Sequence, residues 1–142
     1  MKIKILMFFF FLSTTTKADT ITTWKVFYNN KLLKSFVQDD NPKNIHLKVS
    51  EYQEGDYLAI QYADDTRYHD CSYELKIVAE GKLEVITMEI LDKYKLMKID
   101  LKDIINNHKS NPSHNFFVVY FTEILIRGKR NSGPRLFNIR ID

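Results

Sequence analysis

The chain has few of the residues that cross-link a small fold or interrupt its helices and strands. Its 142 residues include one cysteine, four glycines and three prolines. Because Cys71 has no second cysteine to pair with, an intramolecular disulfide is excluded and stability must come from packing. The low glycine and proline content argues against linkers and low-complexity tracts. With 44% hydrophobic residues, the chain can bury the core of one ordinary domain.

A long hydrophobic run is also lacking. The apolar stretch at residues 5–12 is much shorter than the roughly 20 residues of a membrane-spanning helix. It follows Lys2 and Lys4 and precedes Lys17-Ala18, which is typical of a secretory signal. We therefore predict a signal peptide over residues 1–18, export to the periplasm or cell exterior, and one mature domain over residues 19–142. A lipid anchor would need a cysteine at the cleavage point, so no membrane anchor is expected after cleavage.

The predicted mature domain has no excess of positive or negative charge. The full chain has 21 Lys and Arg against 18 Asp and Glu. Since Lys2, Lys4 and Lys17 leave with the signal, the predicted mature domain carries 18 residues of each sign. A neutral domain has no general attraction to phosphate backbones, so nucleic acid is not expected as a partner.

Alternation of apolar and polar residues with a period of two dominates the mature chain. It predicts strands at residues 24–28, 31–37, 44–49, 58–62, 73–77, 82–90, 95–99, 116–126 and 136–141. Asn29-Asn30 suits the tight turn of the first hairpin. The fold class expected is all-β: an immunoglobulin-like β-sandwich of eight or nine short strands, with a small β-barrel as the alternative.

Two elements depart from simple alternation. A short helix is predicted from Leu101 to about His108, capped by Asp100, with Leu101, Ile104 and Ile105 on one face. Residues 116–121 are apolar on both faces, which predicts a central strand buried on two sides.

The most polar loop, residues 63–71, is a candidate binding site. Its candidate residues are Asp64, Asp65, His69, Asp70 and Cys71. A metal site, a thiol nucleophile with His69 as base, and a calcium loop are possible here. None has the spacing or supporting groups that such sites need. A solvated loop with capping Asp side chains is favoured, and no metal or cofactor is predicted.

A basic cluster surrounds the last predicted turn. It consists of Arg127, Lys129, Arg130, Arg135 and Arg140. Such a cluster could meet an acidic partner, a lipid headgroup or a polyanionic surface sugar, although a solvated hairpin tip is the more economical interpretation.

Aromatic residues at strand spacing could form a carbohydrate-stacking surface, although residues in this pattern more often form a core. The candidates are Trp24, Tyr28, Tyr57, Tyr62, Tyr73, Phe116, Phe117, Tyr120 and Phe121.

Four short stretches resemble a group of small exported bacterial proteins of unknown function. They are residues 24–26, 55–62, 64–71 and 135–140. The resemblance implies export and a β-sandwich, and no activity. It also implies a C-x-x-C pair in some relatives, of which this chain keeps Cys71 and has Tyr68 at the other position.

The function predicted from these features is an exported, non-enzymatic interaction or accessory module. Its partner would be a protein or a surface glycan. It would bind through the 64–71 loop, the basic turn, or a sheet edge that accepts a partner strand. A metal- or thiol-dependent protein and a carbohydrate-binding module are the alternatives. An enzyme whose catalytic carboxylates come together only in the folded chain is a further alternative.

Overall fold

A computed structural model describes residues 22–38, 41–63, 71–90, 96–125, 133 and 135–142. These ranges contain nine strands, one α-helix and two 3-10 helices, at Val49–Glu51 and Glu80–Lys82. The strands and the α-helix are β1 Thr23–Tyr28, β2 Lys31–Val37, β3 Lys43–Leu47, β4 Tyr57–Ala63, β5 Cys71–Ala79, β6 Glu84–Ile90, β7 Met97–Asp100, α1 Lys102–Ser110, β8 Phe116–Leu125 and β9 Arg135–Ile141. The predicted signal peptide lies outside the described residues.

The strands form two sheets, ordered β2-β1-β4-β7 and β3-β9-β8-β5-β6. Strands β1, β4 and β7 are arranged as strands A, B and E of an immunoglobulin-like sandwich, and β6, β5, β8 and β9 as C′, C, F and G. Strand β2 is added beside β1, and β3 pairs in parallel with β9. The all-β sandwich predicted from alternation is confirmed.

The inner faces of the two sheets pack against each other through aromatic rings. The Trp24 ring on β1 lies 4.9 Å from the Phe121 ring on β8, and the Phe36 ring on β2 lies 6.1 Å from that of Phe137 on β9. Both contacts have the edge-to-face geometry that aromatic pairs prefer. They place β1 over β8 and β2 over β9.

The first hairpin is built as the sequence predicts, with one irregularity. Asn29 adopts a positive φ of 52°, which asparagine tolerates better than most residues. The register then shifts between Val26 and Phe27, which pair with Lys34 and Leu32. Leu33 is therefore the extra residue of a β-bulge on the edge strand β2.

Helix α1 closes one end of the sandwich. The Asp100 carboxylate accepts a 2.8 Å hydrogen bond from the backbone N–H of Lys102, and Leu101, Ile104 and Ile105 are buried. The predicted apolar face is confirmed. The helix starts at Lys102, one residue later than predicted, and continues two residues beyond His108. The Asp100 contact lies one residue before the N-cap position Leu101, whose side chain makes no cap hydrogen bond.

The prediction that β8 is buried on both faces is wrong. The strand is central, between β5 and β9, and Phe117, Val119 and Phe121 face the core. Phe116 and Tyr120, on the opposite face, are only partly buried. An apolar outer face does not by itself require a second covering layer, since the Arg135 guanidinium lies 5.6 Å from the Phe116 ring centroid on this face.

Candidate functional site

A cleft of about 180 Å³ opens between the edge strands of the two sheets. We call it the β2–β3 cleft. Strands β2 and β3 lie on the same side of the sandwich because β2 packs over β9, the neighbour of β3. The cleft is lined by Tyr28, Lys31, Leu33, His46, Leu47, Lys48, Glu51, Tyr52, Leu101 and Ile105.

The floor of the cleft is apolar and already part of the core. Leu47, Leu101 and Ile105 are buried, whereas Leu33 on the rim is 40% exposed. Ligand pockets for drug-sized molecules usually measure about 300–1,000 Å³, and a cavity of roughly 150 Å³ accommodates a benzene ring. The β2–β3 cleft therefore has room for one large apolar side chain.

Most charged groups around the cleft are already paired. Lys48 Nζ lies 2.8 Å from Glu51 Oε1, and this hydrogen bond raises the pKa of Lys48. His46 Nδ1 lies 2.7 Å from Asp142 Oδ2. Among the described residues, Lys31 has no ion-pair partner, so it carries the unbalanced positive charge of the lining.

The Asp56 carboxylate holds the β1–β2 hairpin, which forms one wall of the cleft. It accepts hydrogen bonds from the Tyr28 hydroxyl, from Asn29 Nδ2 at 3.0 Å and from the backbone N–H of Gln53 at 2.8 Å. Asn29 Oδ1 in turn accepts a 3.1 Å bond from the N–H of Tyr57. The β1–β2 turn is thereby tied to the start of β4.

The same contacts shift two pKa values in opposite directions. Burial, together with the hydrogen bond to Asp56, raises the pKa of Tyr28 to about 12. The hydrogen bonds from Tyr28, Asn29 and Gln53 lower the pKa of Asp56, because they stabilise the charged carboxylate. At neutral pH the pair is therefore a neutral phenol donating to an ionised carboxylate.

The residues predicted for the polar loop fall largely outside the described part of the chain. This applies to Asp64, Asp65, His69 and Asp70. The backbone of Cys71 begins β5 opposite Leu125. In the described ranges, no three His, Cys, Asp or Glu side chains are grouped so as to hold a metal ion.

The basic cluster is described only on β9, since Arg127, Lys129 and Arg130 lie outside the described residues. Arg135 Nε donates a 2.7 Å hydrogen bond to Asn138 Oδ1, and its guanidinium lies 5.6 Å from the Phe116 ring centroid. Phe116 pairs with Arg140 across β8 and β9, so the side chain of Arg135 extends along β9 toward Arg140.

Most of the candidate aromatic residues belong to the core. Trp24, Tyr62, Tyr73, Phe117 and Phe121 are buried and so cannot stack on a sugar. The others are partly buried. Among the described residues, no helix is long and apolar enough to cross a bilayer.

Apart from Tyr28, which is among the candidate aromatic residues, the cleft residues were not predicted as a site, although one signal was present. Lys31-Leu32-Leu33-Lys34 places two leucines side by side, which strict alternation of apolar and polar residues does not allow. Such a break is typical of a bulge, which turns a side chain in a new direction. The other lining residues come from β3, the first 3-10 helix and α1, whose proximity only the fold creates.

Comparison with protein-family models finds no match. Comparison with curated proteins finds no match either.

Proposed function

We propose that this chain is an exported, non-enzymatic interaction module that holds an apolar side chain of a partner protein in the β2–β3 cleft. The observation that carries the proposal is the cleft itself, which has an apolar floor and opens between two edge strands. Its volume suits one side chain rather than a cofactor.

The polar groups around the cleft support binding rather than chemistry. Lys48 is paired with Glu51 and His46 with Asp142, while Tyr28 donates to Asp56. These paired groups form a polar rim around the apolar floor. An apolar centre with a polar rim is the usual arrangement at a protein interface.

The proposal is tested by selecting a phage-displayed random peptide library on the full secreted protein. The affinity of the selected peptides is then measured in solution by fluorescence anisotropy. We expect Leu33→Glu to weaken binding by about tenfold or more, because it places a charge at the mouth of an apolar cleft.

Leu96→Glu is the matched control, since Leu96 has a similar exposed fraction of 46% and does not line the cleft. Thermal unfolding of both variants checks that they fold. Selected peptides that bind wild type and Leu33→Glu equally would place the interaction elsewhere. A selection that yields no peptide binding in solution would overturn the proposal.

A further inference from the structure

We infer that the partner segment is an extended, acidic polypeptide that adds as a new strand to the open edge of β2. This inference rests on the proposed function and names the chemistry of its partner. Three features of β2 carry it: its edge from Lys31 to Phe36, which pairs with no other described strand, its exposed leucines and its lysines.

One edge of β2 faces away from β1 and has no partner among the described strands. Among the described strands, β2 pairs only with β1. Alternate N–H and C=O groups of an edge strand point away from its one neighbour and can bind a further strand. From Lys31 to Phe36 this edge is about 16 Å long, enough for a partner segment of about five or six residues.

One of the two exposed leucines of β2 lines the cleft. Leu32 and Leu33 are 50% and 40% exposed, and of the two only Leu33 is among the cleft-lining residues. Because Leu33 is the bulged residue, it is not held opposite a residue of β1. A partner strand on this edge would thus bring one of its own apolar side chains next to Leu33 and into the cleft.

The charge of β2 decides between an acidic partner and a second copy of the chain. The strand carries Lys31 and Lys34 and no acidic residue. Neither lysine has an ion-pair partner among the described residues. Two β2 strands side by side would bring like charges together, which is unfavourable, whereas an acidic strand would be attracted.

The test uses four fluorescein-labelled peptides and the full secreted protein. The first is Thr-Glu-Val-Leu-Glu-Thr amide, and the second replaces both Glu with Lys. The third and fourth peptides have the sequence of the first, with a methyl group on every second backbone amide nitrogen. The third carries the methyl groups on one alternating set of amides and the fourth on the other set. Binding is measured by fluorescence anisotropy with wild type, Lys31→Glu and, as the matched control, Lys25→Glu, an exposed lysine of the same sheet outside the cleft.

We expect the acidic peptide to bind about tenfold more tightly than the lysine peptide, and Lys31→Glu to abolish or reverse that preference while Lys25→Glu keeps it. One methylated set should weaken binding by about tenfold, because it removes the hydrogen bonds to β2, and the other set should have little effect. This asymmetry is the signature of strand addition.

Three results would overturn the inference. They are equal binding of the acidic and lysine peptides, equal effects of the two methylated sets, and a Kd for the acidic peptide above about 1 mM. None of them contradicts the proposed function, which is decided separately by the effect of Leu33→Glu on the selected peptides.

Discussion

At the scale of single residues, Asp56 organises the wall of the β2–β3 cleft. One carboxylate accepts hydrogen bonds from Tyr28, Asn29 and Gln53, which join the first hairpin to the turn before β4. Hydrogen bonds to a charged group are stronger than those between neutral groups. Ionised Asp56 therefore holds the Tyr28 hydroxyl more strongly than a protonated carboxyl would.

This dependence predicts a specific response to acid. The pKa of Asp56 is lower in the folded protein than its ordinary value of 3.8, so its stabilising contribution is complete above that value and is lost as the pH falls through the folded pKa. Asp56→Asn should lower the free energy of unfolding at neutral pH and make it less sensitive to pH below 4. Urea unfolding at a series of pH values measures both effects.

Asp103→Asn, at an exposed carboxylate of α1, is the control for loss of one negative charge. If the stability profile of Asp56→Asn ran parallel to that of wild type into the acid range, Asp56 would not be the group responsible.

At the scale of elements, α1 shows a secondary structure that the sequence predicts well. The Asp100 contact and the apolar positions are local features, and the helix forms where they occur. Only the fold shows what the apolar face covers. Ile105 forms part of the cleft floor, while Ile104 is fully buried in the core.

Shortening a buried side chain of α1 should destabilise the folded protein. Ile104→Ala removes a side chain with no exposed surface and should reduce the free energy of unfolding by about 2–5 kcal/mol. Asn106→Ala, on the exposed side of the same helix, should change it by less than about 0.5 kcal/mol. Urea unfolding compares the two, and similar losses would contradict the assignment of the buried face.

Strand β2 shows where local patterning fails. Its bounds, Lys31–Val37, agree with the prediction from alternation, and the hairpin turn at Asn29 has the expected positive φ. The alternation alone does not assign a face to Leu33, because a bulge breaks the period of two. Its place beside the cleft depends on the neighbouring sheet.

At the scale of the whole molecule, export remains a prediction that the described residues do not address. When the chain is expressed with its own leader in a bacterial host, we expect a periplasmic product that begins at Asp19, because signal peptidases cleave after small residues such as Ala18. Intact-mass spectrometry of the periplasmic fraction measures the cleavage point. Retention of Met1 in the accumulated protein would contradict the prediction, and Ala18→Pro, expected to block cleavage, is the control.

The sequence by itself determined the all-β class, the bounds of the first hairpin, and the apolar face of α1. These follow from period-two alternation, from the turn preference of Asn29 and from the spacing of apolar residues in one helix, all of which act over a few neighbouring positions. The tertiary structure alone decided that β2 and β3 lie on the same side of the sandwich, and that residues from β1 to α1 meet in one cleft. It also decided that only one face of β8 is buried. These outcomes depend on how the two sheets are ordered and packed, which no local pattern specifies.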